Sequence, residues 1–111
     1  MVKKVYLISA FMGDDKIYKI GYTKRDVNLR IDELKTGNPY EFDIVEVYSS
    51  KWGSKIEASL KRRYKNYNIN GEWFNLPENE IINFNESCHN LHEVFELLSN
   101  NNTFIIDRGW L

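Results

Sequence analysis

Five residues between positions 6 and 57 are of the types that handle a phosphate group. Lys19, Gly21 and Arg30 fall within one stretch, Tyr18–Arg30 (YKIGYTKRDVNLR), while Tyr6 lies upstream in KVYLI and Glu57 downstream in IEASLKRRY. Breaking a phosphodiester needs an activated water, charge neutralisation at phosphorus and help for the leaving oxygen. Arg30 offers a planar fork of donors to a phosphate and stays charged at any working pH. Glu57 offers a carboxylate to a hard cation such as Mg2+ or Mn2+, whose remaining shell comes from water and substrate oxygens. Lys19 supplies positive charge; only a strongly depressed pKa would make it a base. Gly21 lets backbone, substrate or a facing helix come close.

Each of these residues also has a structural explanation. A strand tyrosine such as Tyr6 is ordinarily core or a cross-strand partner. Gly21 also suits a tight strand exit. Taken alone, Arg30 reads as a surface arginine with a buried stem, and Glu57 as a first-turn glutamate favoured by the helix dipole. Their order along the chain, and the elements between them, favour a shared site.

The elements that must position them follow from periodicity. Lys3–Phe11 is rich in β-formers, Gly13-Asp14-Asp15 is a turn cluster, and Ile17–Tyr22 returns, which predicts a hairpin. Thr23 and Asp26 both qualify as N-caps for a helix carrying Val27, Ile31 and Leu34, which Gly37-Asn38-Pro39 should stop. Phe42–Tyr48 reads as a third strand, with Phe42, Ile44 and Tyr48 on one face and Val45 and Val47 on the other. A second helix is expected from about Ser54 to Tyr67, broken by Asn68–Gly71 and followed by a short extended piece, Glu72–Leu76. After Pro77, Ile81, Phe84, Cys88, Leu91, Phe95 and Leu98 recur three and four apart, predicting one long helix with Asn85 and Asn90 as places where it frays or bends. Phe104–Ile106 and Trp110 form an apolar tail expected to pack back. The expected fold is α+β: a small central three-stranded antiparallel sheet flanked by helices, with an extra C-terminal helix.

At 111 residues, with 42% hydrophobic and 14% aromatic content, the chain has the make-up of one globular domain with its own core. No apolar run approaches a membrane span, and MVKKVYLI lacks the length and cleavage site of a signal peptide. The single cysteine, Cys88, excludes an intrachain disulfide and a cysteine zinc cluster, and favours a cytoplasmic setting. Net charge is only −1, but residues 1–65 hold 14 Lys and Arg against 9 Asp and Glu, whereas residues 66–111 hold 1 against 7. Such a division can turn a polyanion toward one face, although ordinary solvated helix faces would also produce it. Lys51, Lys55, Lys61, Arg62, Arg63 and Lys65 make the second helix basic, with Lys61 on the side of Glu57 and Arg62 and Arg63 pointing away toward flanking phosphate.

The order KVYLI, KIG at Lys19–Gly21, Arg30 on the next helix, Thr36-Gly37-Asn38-Pro39, Glu57 with Leu60 and Tyr64 behind it, and Gly71-Glu72-Trp73-Phe74 resembles the GIY-YIG nuclease superfamily. It is most similar to the branch, common in phages and mobile elements, that has KIG for YIG. The resemblance covers residues 3–76, leaving 77–111 as a helical extension of a single domain. It implies a DNA endonuclease using one Mg2+ or Mn2+ on Glu57, a water oriented or deprotonated by Tyr6, and Arg30 and Lys19 bearing developing charge. Gly21, Tyr18, Tyr22, Lys61, Arg62 and Arg63 are the residues expected to contact the DNA substrate. A tyrosine base is demanding, since a free phenol titrates near ~10.

Three positions depart from the pattern. Lys19 stands where the superfamily has its second tyrosine, and Tyr18 and Tyr22 flank it as alternative phenols. No histidine follows Arg30, and His89 and His92 read as solvated residues of the C-terminal helix. The polar residue that follows the glutamate helix has Asn66, Asn68 and Asn70 as counterparts. The alternatives to a nuclease are a DNA-binding module of the same fold with degraded catalysis, or a phage factor that engages a host or defence protein through its acidic C-terminal helix. A nuclease this small is also a fit subject for homodimerisation.

Overall fold

The computed structural model describes residues 2–36 and 41–101. The expected helix stop at Gly37-Asn38-Pro39 and the apolar tail around Phe104–Ile106 and Trp110 lie outside them. β1 (Lys3–Met12) and β2 (Asp15–Thr23) pair antiparallel from Lys4↔Thr23 to Met12↔Asp15. Gly13 opens their two-residue turn at φ 64°, a conformation that costs glycine no Cβ clash. α1 (Val27–Lys35) follows, and of its two expected caps Asp26 takes the role, its side chain accepting from Asn28 N at 2.8 Å. Thr23 instead accepts from Arg25 N at 3.1 Å and shapes the approach to the helix.

β3 (Asp43–Ser50) pairs with the other edge of β1. Its register slips between Leu7 and Ile8, which pair with Glu46 and Ile44 and leave Val45 as the extra residue of a bulge. The slip corrects the expected faces. Val45 and Tyr48, three apart, pack on one core cluster, and Val47 joins Phe42 on the other. Strict alternation does not survive an inserted residue.

α2 (Gly53–Arg63) ends in a 3-10 turn, Lys65–Tyr67, rather than running as one helix to Tyr67. The two short strands beyond it, β4 (Asn68–Asn70) and β5 (Trp73–Phe74), add to the free edge of β2. The sheet therefore has five antiparallel strands among the described residues, in the order β3-β1-β2-β5-β4, where three were expected. Asparagine is a poor strand former, which hid β4. Here Asn68 Nδ2 donates to the carbonyls of Gly71 at 2.8 Å and Trp73 at 3.1 Å, and so ties the small hairpin together. The expected long helix is two, α3 (Glu78–Ile82) and α4 (Phe84–Asn101), parted at Asn83 rather than bent at Asn85 or Asn90. Among the described residues no helix is long and apolar enough to cross a membrane.

The sheet separates two apolar clusters. Val5, Leu7, Tyr18 and Ile20 face Ile56 and Leu60 of α2, Tyr64 at its C-cap, and Phe84, Cys88 and Phe95 of α4. On the other face Tyr6, Ile8, Ala10 and Ile17 meet Val27 and Ile31 of α1 and Phe42. His89 and His92 are not merely solvated. Each ring Nδ1 hydrogen-bonds a β3 side chain, Tyr48 Oη at 3.0 Å and Ser50 Oγ at 2.7 Å, and so docks α4 on the edge strand.

Tyr6 and Gly21 are direct cross-strand partners, and the tyrosine is only 1% exposed. A Cβ on Gly21 would lie 2.5 Å from Tyr6 Cζ and nearer still to its hydroxyl. Glycine is therefore needed for the room it leaves the phenol, neither for a tight strand exit nor for an unusual φ. Gly21→Ala is expected to cost about 1–3 kcal/mol by overpacking, read from denaturant unfolding. The cost should shrink in a Tyr6→Ala background, since the two residues contend for one space; additive costs would contradict the contact.

Candidate functional site

β5 pairs with β2 only at Tyr18 and Lys19, so the segment from Gly21 to Thr23 has no strand beside it on that edge. A cleft of about 570 Å3 opens there, lined by Tyr6, Lys19, Gly21, Tyr22 and Thr23 of the hairpin, Lys24 and Arg25 of the following loop, Arg30 of α1, Glu57 of α2 and Glu72 of the β4–β5 turn. Groups carried on both faces of the sheet meet in it. Tyr6, Lys19 and Gly21 belong to the α1 face by the register of the hairpin, whereas α2 covers the opposite face. Glu57 follows the inward-pointing Ile56, which turns it off the core stripe toward the open edge.

Of the residues singled out from the sequence, Tyr6, Lys19, Gly21, Tyr22, Arg30 and Glu57 line this one cleft. Tyr18 does not. It alternates with Lys19, is buried in the cluster beneath α2 and α4, and its phenol is raised by burial there and by Glu78. It cannot stand in for the phenol that Lys19 replaces. Lys61 and Arg62 line a second, neighbouring cleft, and exposed Arg63 lines neither.

Arg30 is partly exposed, and its pKa is raised first by a side-chain hydrogen bond with the Tyr6 phenol, then by Glu33 at 3.3 Å, against partial desolvation. Glu57 lies in the second turn of α2, and no acidic residue occupies the first, so the helix dipole does not account for it. Burial raises its pKa, opposed by Lys61, whose ammonium is 3.6 Å away. A half-buried carboxylate held against its own solvation is a common mark of a functional site.

Lys19 is 8% exposed. Its ammonium pairs with Glu72 and lies 5.9 Å from the centre of the Trp73 ring, which in turn stacks on Phe42 at 5.7 Å. Lys61 bonds the other oxygen of Glu72 at 3.2 Å. Lys19, Glu72, Lys61 and Glu57 thus form one alternating chain of charges, and the hydrogen bond from Lys19 is the main reason that the Glu72 pKa is lowered. Glu72, Thr23, Lys24 and Arg25 are cleft residues that reading the sequence for chemistry passed over. The signal for Glu72 was its place in GEWF, beside two core aromatics.

The T5orf172 domain matches over residues 3–96. The chain belongs to this family. T5orf172 is a phage-associated domain, distantly related to nucleases of the GIY-YIG and HNH kinds. The match runs past residue 76 and takes in α3 and most of α4. No curated protein and no solved structure matches the chain.

Among the described residues of this T5orf172 domain, no three His, Cys, Asp or Glu side chains gather closely enough to cage a metal ion. A cage is not what Mg2+ requires. It binds through one or two carboxylates and takes its other ligands from water and phosphate, and Glu57 and Glu72 offer hard oxygens on the cleft wall. Carboxylate oxygens are donors of the kind such an ion takes, and here both carboxylates already share the Lys61 ammonium.

The two glutamates should leave opposite marks on stability. Glu57, raised in the fold, binds more protons folded than unfolded, so stability falls as pH climbs through its range. Glu72, lowered in the fold, adds stability above the ordinary glutamate pKa that is lost as pH falls through its own. Thermal melts at pH 7 should therefore show Glu57→Gln raising the melting temperature and Glu72→Gln lowering it. Both differences should fade toward pH 3; equal shifts of one sign would refute the charge chain.

Proposed function

We propose that this T5orf172 domain is a GIY-YIG-type endonuclease that hydrolyses phosphodiester bonds in DNA. The observation that carries the reading is the convergence of Tyr6, Lys19, Arg30 and Glu57, drawn from four separate elements, on one cleft. The family's phage association and its distant kinship with nucleases agree with it.

In this reading the scissile phosphate enters between Lys19 and Arg30, which neutralise its oxygens as charge builds. Tyr6 is held in place by the space over Gly21 and by Arg30, and its phenol oxygen takes a hydrogen bond from the attacking water and aims it at phosphorus. A bond forms from the water oxygen to phosphorus and one ester P–O bond breaks. The proton released by the water is made good from solvent on the departing oxygen. Glu57, with Glu72 beside it, would hold the Mg2+ or Mn2+, which supplies further charge neutralisation at the phosphate. Lys19 acts through charge, its ammonium lying between the Glu72 carboxylate and the Trp73 ring.

One observation favours a second reading, in which the same fold binds DNA without cutting it. Glu72 already engages both Lys19 and Lys61, so a phosphate must compete with it for their charge. Plasmid nicking separates the two. The purified domain should nick supercoiled DNA with Mg2+ or Mn2+ and not with EDTA, and Arg30→Ala or Glu57→Ala should slow nicking by about 100-fold or more. Salt-sensitive DNA binding with no metal-dependent nicking would select the binding module instead.

A further inference from the structure

Beyond the first cleft, on the far side of the β4–β5 turn, a second opening of about 370 Å3 is lined by Lys61, Arg62, Lys65, Asn68, Gly71 and Phe74. Its charge differs in kind. The first cleft sets Glu57 and Glu72 among its cations, whereas no carboxylate lines the second. Among the described residues neither Arg62 nor Lys65 has a carboxylate partner; Arg62 Nη2 donates only to the neutral Ser59 Oγ, at 3.2 Å. The negative end of the α2 dipole favours cations in its last turn, which accounts for Lys61 to Arg63. It does not account for Lys65, which stands beyond α2 in the 3-10 turn, or for an acid-free wall.

The two openings adjoin. Gly71 lines one and Glu72 the other, and consecutive Cα atoms are about 4 Å apart. Lys61 links them, lining the second while its ammonium bonds Glu72 on the wall of the first. A strand whose phosphate sits between Lys19 and Arg30 would thus carry a neighbouring phosphate to Arg62 and Lys65. We propose that the second cleft is a phosphate subsite for a nucleotide flanking the scissile one, so that the domain holds a single DNA strand across both openings. The proposal rests on the hydrolase reading for which phosphate is cut, but not for the binding itself.

The test compares the native chain with an Arg62→Gln/Lys65→Gln variant, both positions being exposed. Binding of a fluorescein-labelled single-stranded DNA octamer is measured across a salt series, and hydrolysis of bis(4-nitrophenyl) phosphate, a single phosphodiester, is measured with Mn2+. The variant should bind the octamer roughly tenfold more weakly, with a salt slope smaller by about one to two, and hydrolyse the small diester at the native rate. Unchanged octamer affinity overturns the subsite, as does a native chain that binds no octamer. A parallel loss on the small diester also overturns it, because the charges would then serve the first cleft. If native protein cleaves nothing yet its octamer binding still depends on these two charges, the subsite stands and the hydrolase reading falls.

Discussion

The site depends on one missing side chain. Tyr6 and Gly21 face each other across the β1–β2 hairpin, and the phenol lies in the space that any Cβ at position 21 would fill. That contact buries the ring while Tyr6 still lines the cleft, where its phenol is the first cause that raises the Arg30 pKa. Because the register is continuous from Lys4 to Met12, it also places Lys19, two residues before Gly21, on the same face. A one-residue slip of β2 against β1 would turn Gly21 and Lys19 to the face opposite Tyr6. The close packing of Tyr6 on Gly21 resists such a slip.

The cleft exists because β5 is too short to cover the end of β2. A longer strand there would satisfy the edge and close the opening. Instead the turn between β4 and β5 brings Glu72 to Lys19, while Trp73 and Phe74 anchor that turn in the clusters on either face. A lysine buried to this degree needs a partner, and Glu72 provides it without removing the cation from the cleft. The cost is a carboxylate where phosphate is to bind. Lys61, held between Glu57 and Glu72, extends the same compromise toward the second opening.

Much of this was legible from residue types. The hairpin, the capped helix α1, the helix bearing Glu57 and the apolar stripe of α4 all follow from periodicity, turn chemistry and caps. The signals failed where spacing was broken by tertiary structure. The bulge at Val45 reversed the facing of β3 beyond it, a slip that alternation cannot register. β4 is an asparagine-rich strand held by side-chain bonds from Asn68, and intrinsic preference argues against it. Glu72 read as part of a closing motif because its partner, Lys19, is 53 positions away. Tyr18 was a plausible phenol until the pleat set it opposite Lys19. In each case the missing information was which residues face each other, and periodicity carries that only within one element.

The central claim is that Tyr6, Lys19, Arg30 and Glu57 form one phosphate-processing site. Its most direct test is a crystal soaked with Mn2+ and a short phosphorothioate DNA strand, read by anomalous scattering. A manganese peak on the Glu57 carboxylate, with a phosphate lying between Lys19 and Arg30 and within reach of the Tyr6 oxygen, is the predicted result. Manganese away from Glu57, or DNA bound with the first cleft unused, would contradict it.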